Sequence, residues 1–239
     1  MRELAWDGYV NCRDLGALPV PGGQTQPGRV ARGPRREMVT SMGWQAARSW
    51  GLRAIVDLRC PDEVGRRPGD PAVREDDLSG ITVFSAPTED HSDAEFRRVC
   101  FPILDSPAYW QHSLRILPGL VRSCLETIAA APPGTLIHCS AGRDRTGMIT
   151  ALLLANAGVA AEAIADDYAE SVRAMAGVAS NAPTFDRQAE WSEAKVSSWL
   201  AEVRPLVIGF VTQLDQQVDQ IGLDRATRDR LRDRLLAPA

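Results

Sequence analysis

The spacing of apolar positions changes several times along the chain, and each change marks an element. RAIVDLR (53–59) and GITVFSAP (80–87) are short apolar runs rich in β-branched residues, which predicts buried strands. RVAR (29–32) and GTLIHC (134–139) predict two more. Elsewhere the period lengthens. TSMGWQAARSWG (40–51) reads as a helix with Thr40 or Ser41 as N-cap and Gly51 as stop. Residues 109–131 have helical spacing that Pro118 should kink or split. RTGMITALLLANAG, from Arg145 onward, predicts a helix directly after the 134–139 strand. The Pro/Gly-rich stretch 17–28 predicts a loop, and the polar, acidic stretch 88–107 a loop with one helical piece.

From about residue 161 the pattern is helical to the end. AEAIADDYAESVRAM is followed by a break at Asn181–Pro183, a helix carrying Trp191 and Trp199, and a last helix starting near Asp224. Strands alternating with helices, then a helical C-terminal part, predict an α/β fold: a mostly parallel central sheet flanked by helices. No linker divides the sequence, so 1–239 reads as one domain, with 161–239 as a helical extension.

Composition narrows the function classes. The 239 residues are 44% hydrophobic, ordinary for a globular core, and the net charge of −4 gives no reason to expect nucleic-acid binding. Five cysteines, an odd number without a C-x-x-C pair, argue against a disulfide framework and a structural zinc site. The first sixteen residues, MRELAWDGYVNCRDLG, contain no apolar signal region, and the longest apolar run, Met148–Ala155, is too short for a transmembrane segment. A reduced, cytoplasmic setting is the expectation.

Chemistry concentrates in HCSAGRDRTG (138–147). The strand delivers Cys139 to its carboxyl end. Ser140, Ala141 and Gly142 are small enough for a tight curl, and the helix that follows aims its free N–H groups and dipole at the mouth of the loop. Arg143 and Asp144 complete the curl. The result is a cup of amide donors for a tetrahedral oxyanion such as phosphate. A cysteine at a helix N-terminus beside cations is expected as a thiolate at neutral pH. Arg145, after five intervening residues, can hold two phosphate oxygens with its fork, and Thr146 can donate its hydroxyl to the sulfur. A nucleotide-binding loop is excluded, because GRDRTG lacks the G-x-x-x-x-G-K-[ST] pattern. His138 and Cys139 are expected on opposite faces of a strand, which argues against a shared metal; His138 is expected to bond neighbouring backbone.

This stretch resembles the signature of cysteine-dependent protein tyrosine phosphatases: His-Cys, five residues, Arg, then Thr or Ser. It is most similar to the bacterial branch with His-Cys-x-Ala-Gly-Lys-Asp-Arg-Thr-Gly. NCRDLG (11–16) is similar to that branch's Asn-Phe-Arg-Asp-Leu-Gly, and GRVARG, GLRAIVDLR and IADDYAESV sit where related segments are expected. Two positions depart from the pattern. Arg143 replaces the usual lysine, and Cys12 the usual phenylalanine. The resemblance implies a phosphatase acting on phosphotyrosine in proteins, with phosphoserine and phosphothreonine as a dual range and phosphoinositides or small phosphoesters as the alternative. It implies attack by Cys139 on phosphorus, then hydrolysis of the cysteinyl-phosphate by water, with no cofactor and no metal. Ser140, Ala141, Gly142, Arg143, Asp144 and Arg145 would bind the phosphate.

The leaving oxygen calls for a general acid. Asp90, after the 80–87 strand, is the first choice; Asp144 is the second, and Glu89 and Asp93 are neighbours of Asp90. Asn11, Arg13 and Asp14 are expected to brace the phosphate loop, and Asp57 with Arg59 to pair structurally. Cys60, just past a strand end, is a candidate disulfide partner for an oxidised Cys139. Trp191 and Trp199, eight apart, are expected on one helical face, in the core or on a helical lid of the kind that covers related phosphatase sites.

Overall fold

A computed structural model describes residues 2–178 and 187–237 of the chain; the break expected at Asn181–Pro183 lies outside them. Its strands are β1 (Arg13–Asp14), β2 (Pro19–Val20), β3 (Gly23–Gln24), β4 (Val30–Gly33), β5 (Ala54–Asp57), β6 (Thr82–Ser85) and β7 (Thr135–His138). Its α-helices are α1 (Ser41–Trp50), α2 (Ala94–Cys100), α3 (Tyr109–Ile116), α4 (Pro118–Ala130), α5 (Asp144–Asn156), α6 (Ala161–Met175), α7 (Glu193–Thr212), α8 (Leu214–Ile221) and α9 (Arg225–Leu236). The main sheet has the order β1-β4-β7-β5-β6, and β2 pairs with β3 in a separate hairpin.

The four strands expected from apolar runs are the four parallel strands of this sheet, but β6, expected to be buried, lies at the sheet edge and is largely exposed. Only β1 runs antiparallel, against β4. β7 lies at the centre, with His138 level with Gly33 on one side and Asp57 on the other. Strand residues alternate between two layers, as the period of two requires. Ala31, Ile55 and Leu136 face a small core with Trp6, Trp44 and Ala47 of the N-terminal segment and α1. Val30, Val56 and Ile137 face the larger core built by α3 to α9. The chain therefore has the α/β architecture expected, with C-terminal helices on one side of the sheet.

Local signals explain most element ends. Thr40 caps α1 by accepting from the Gly43 N–H at 3.2 Å, and Gly51 closes it in the left-handed region at φ 106°. Pro118 splits the 109–131 segment and opens α4 from its first turn, where a missing N–H costs nothing. Trp191 precedes the Ser192 cap of α7 rather than sharing a helical face with Trp199. The two indoles meet edge-on instead, with centroids 5.2 Å apart, packed against the larger core. The hairpin β2–β3 falls within the expected loop 17–28.

Candidate active site

The loop 139–144 joins the centre of the sheet to α5. Gly142 turns it at φ 68°, and a Cβ there would sit 2.4 Å from the backbone carbon and oxygen of Gly33. Only glycine fits both the backbone conformation and the space. The carbonyls of this loop are drawn outward by donors. Arg35 N–H donates to the Ser140 carbonyl at 2.9 Å, Asn11 Nδ2 to Ala141 at 3.0 Å, and Arg32 NH2 to Gly142 at 2.8 Å. A planar trans peptide holds its N–H opposite its carbonyl. The amides of Ala141, Gly142 and Arg143 therefore face the inside of the curl, toward Cys139. The N-terminus of α5 carries no side-chain cap. A helix start inside a buried loop without a cap leaves donors for an anion.

The donors that shape the loop are themselves fixed. Arg13 NH1 donates to Asn11 Oδ1 at 2.7 Å, and its Nε to Asp167 Oδ1 at 2.8 Å. Arg32 also bonds Asp167, and Arg2 NH1 lies 3.0 Å from the same carboxylate. Burial works to raise the Asp167 carboxyl, but the Arg13 and Arg32 charges outweigh it and hold it well below the usual carboxylate range. Burial pushes Arg32 down to about 10 against the attraction of Asp167. Asn11 and Arg13 thus brace the loop as expected. Asp14 does not: it accepts from the Gly16 and Gly28 amides at 2.7 and 2.8 Å and from Trp50 Nε1 at 2.8 Å, tying the N-terminal turn instead. Asp167 lies within IADDYAESV and went unassigned by sequence, because one carboxylate in an amphipathic helix reads as a solvated face.

Arg145 emerges from the first turn of α5 and is buried. Glu63 grips the end of its fork with both carboxylate oxygens; NH2 to Oε1 is 2.7 Å. Glu89 Oε2 stands 3.6 Å from NH1. Neither contact uses the Nε edge of the guanidinium. Burial works against the Arg145 charge, but Glu89 and Glu63 raise its pKa beyond the ordinary value. Glu63 follows Cys60 in a short 3-10 turn, Pro61–Glu63, and its Oε2 accepts from the Cys60 N–H at 2.9 Å. His91 Nε2 lies 3.0 Å from Glu89 Oε2. Glu63 and His91 carry no signal in the sequence pattern, since their contacts arise only where two loops meet.

The remaining candidates occupy distinct places. Asp90 is exposed; its Oδ1 accepts from the Ser92 amide and hydroxyl at 2.8 and 2.7 Å, and these bonds hold the carboxyl below its ordinary value. Asp93 caps α2 through the Phe96 N–H at 2.7 Å. Asp144 opens α5 with its carboxylate 3.1 Å from Arg143 Nε. His138 bonds the Cys139 carbonyl through Nδ1 at 3.0 Å, and Arg59 pairs with Asp57 at 2.7 and 2.9 Å, both as expected. The Thr146 hydroxyl is buried without a partner, so the expected donation to sulfur is not made here. Cys60 and Cys139 are both free thiols, and the Cys60 thiol donates to the Glu89 carbonyl at 3.2 Å. Burial pushes the Cys100 thiol up to about 12 and those of Cys12 and Cys124 further still.

A family model described as the tyrosine phosphatase family matches residues 4–237. The chain belongs to this family. It is 31% identical over 186 residues to a provisionally named tyrosine-protein phosphatase of Cupriavidus necator, covering 71% of this chain and 63% of that one. It is 33% identical over 140 residues to a tyrosine-protein phosphatase of Nostoc commune, covering 58% and 47%. It is 30% identical over 199 residues to the triple specificity protein phosphatase PtpB of Mycobacterium tuberculosis, covering 72% and 69%. The chain thus spans about half to two thirds of the length of the first two relatives. Among the described residues, no helix of this family member is long and apolar enough to cross a membrane.

Proposed function

We propose that the protein is a cysteine-dependent phosphatase that hydrolyses phosphotyrosine in proteins, with Cys139 as nucleophile and Arg145 as the oxyanion clamp. The observation that carries this reading is the inward-facing amide curl at 140–143, closed by an uncapped helix and flanked by a pre-positioned guanidinium. Three backbone donors and the Nε edge of Arg145 match the equatorial oxygens of a phosphoryl group in transfer. The Cys139 sulfur attacks phosphorus in line, the substrate oxygen leaves, and water then releases phosphate from the cysteinyl-phosphate. These groups supply charge stabilisation from the chain's own residues, so the reading requires no metal.

Asp144 suits the role of general acid better than Asp90. It belongs to the phosphate loop itself and is partly exposed at its mouth. Asp90 points its carboxylate at Ser92 and is held ionised there. Asp144 lies beside the Arg143 guanidinium, 3.1 Å from its Nε. The demand on any such acid is smallest for substrates whose leaving group needs little help. A tyrosine phenol, with a pKa of about 10, departs far more readily than an alkyl alcohol. The relatives' names support the same class, one of them with a triple range. The reading places the enzyme in the cytoplasm, acting on phosphorylated proteins there.

The test is turnover of a phosphotyrosine peptide, a phosphoserine peptide and a phosphoinositide, with Cys139→Ser alongside. Phosphotyrosine hydrolysis that Cys139→Ser abolishes while inorganic phosphate still binds by calorimetry is expected. Activity surviving in Cys139→Ser would end this assignment. Dominant phosphoinositide turnover would replace the substrate class.

A further inference from the structure

Cys60, Glu63 and His91 stand beside the phosphate loop, where the segments after β5 and β6 meet. One donor atom from each lies within 4.8 Å of the others. We propose that these three side chains form a binding site for a zinc-like divalent cation. Thiol, imidazole and carboxylate together are the donor set of Zn²⁺, whereas Ca²⁺ and Mg²⁺ take oxygen ligands. Tetrahedral ligands at about 2.0–2.3 Å from zinc sit roughly 3.3–3.8 Å apart. The trio therefore has only a short distance to close.

The surroundings already hold these groups in place. Cys60 and Glu63 are the two ends of one 3-10 turn, locked by the 2.9 Å bond from the Cys60 amide to Glu63. The His91 ring is stacked on Phe96 and edge-on to Phe101, with centroids 6.4 and 5.6 Å apart. Glu89 borders the site, with its Oε2 3.0 Å from His91 Nε2 and its carbonyl accepting the Cys60 thiol.

Cys60 binds a cation as a thiolate, so its S–H proton passes to solvent as the metal–sulfur bond forms. A cation bound to Glu63 draws on the carboxylate that grips Arg145. This consequence for catalysis rests on the phosphatase reading; the binding itself does not.

Cobalt is the probe, because a thiolate bound to Co²⁺ gives a charge-transfer band that needs no turnover to read. Wild type should develop the band on Co²⁺ titration and lose it when Zn²⁺ is added. Cys139→Ser should keep band and affinity, Cys60→Ser should lose the band, and His91→Ala should weaken Co²⁺ binding at least tenfold. If Cys60→Ser fails to fold by circular dichroism, His91→Ala decides alone. No band in wild type at millimolar Co²⁺, an undiminished affinity in His91→Ala, or a band that Cys139→Ser removes would overturn the proposal. The last result would place the ion on the catalytic sulfur.

Discussion

Glu63 holds Arg145 end-on, with NH2 2.7 Å from Oε1, through contacts that do not involve Nε. The carboxylate thereby fixes the plane in which the fork meets an oxyanion. It also lies where the bond from the Cys60 amide prevents it from swinging away. Burial raises the Glu63 carboxyl, but the Arg145 bond outweighs it and keeps the group ionised below the usual range. Removing the charge while keeping the shape should free the guanidinium to rotate. Glu63→Gln is expected to lower kcat/KM on an aryl phosphate by about tenfold, or ~1.4 kcal/mol of transition-state binding. Steady-state kinetics checks this, with inorganic phosphate inhibition weakened in parallel. Unchanged phosphate affinity would mean that Glu63 does not position Arg145.

Asp167 is the hub behind the loop. Its buried carboxylate compensates Arg13 and Arg32, and through them fixes Asn11 and the Gly142 carbonyl. Asp167→Asn leaves the buried Arg32 without its anion and Arg13 with Glu170 alone, 3.0 Å from its Nε. Breaking a buried pair from one side costs about 3–5 kcal/mol. Urea denaturation should show a midpoint lowered accordingly, and residual activity in the folded fraction should fall as well. A variant as stable as wild type would show that Arg13 and Arg32 find other partners.

The candidate acids separate by leaving group. Asp144→Asn should reduce kcat on a phosphoserine peptide by about 10²-fold, within the range for general acid catalysis. On p-nitrophenyl phosphate, whose leaving group needs no proton, the loss should be several-fold smaller. Asp90→Ala should leave both rates within about a factor of two. A selective loss on the alkyl ester in Asp90→Ala, with none in Asp144→Asn, would return the acid to Asp90.

The parallel strands and the loop were legible because both are set by short-range pattern. β4, β5, β6 and β7 are short segments rich in apolar and β-branched residues, and the order of Cys139, Gly142 and Arg145 carries its chemistry in its spacing. Two-residue strands such as β1 show no period and were invisible. The partners of Arg145 were equally hidden. Glu63 and Glu89 lie 26 residues apart and meet only because β5 and β6 are neighbours in register. Trp191 and Trp199 show the opposite failure. Their eight-residue spacing suggested one helix face, yet a serine cap between them puts only Trp199 in the helix.

Gly142 gives a prediction that separates loop geometry from global stability. Its φ of 68° and the 2.4 Å approach of Gly33 leave no room for a methyl group. Gly142→Ala is expected to cost about 1–3 kcal/mol as left-handed strain and to push the loop off Gly33. Because the displaced amides are those that face the oxyanion, kcat should fall by 10²-fold or more. Urea denaturation and turnover measured on the same preparation check the two effects. Full activity at reduced stability would mean that the curl reforms around the extra methyl.

Asp57 sets a pH limit on the acid side. Burial raises its carboxyl, but the bonds from Arg59 and the charge of His138 pull it down to about 2, from an ordinary 3.8. A folded-state value below the unfolded one means that the native state binds the proton more weakly. The stability this group contributes is therefore fully present above about pH 3.8 and is lost as pH falls through about 2. The shift corresponds to about 2 kcal/mol at neutral pH. Urea midpoints of wild type and Asp57→Asn, measured from pH 2 to 6, isolate this group from the other paired carboxylates. The gap between the two proteins should be constant above pH 4 and should shrink toward pH 2. A gap that stays constant across the whole range would show that Asp57 contributes through shape and hydrogen bonding rather than through its charge.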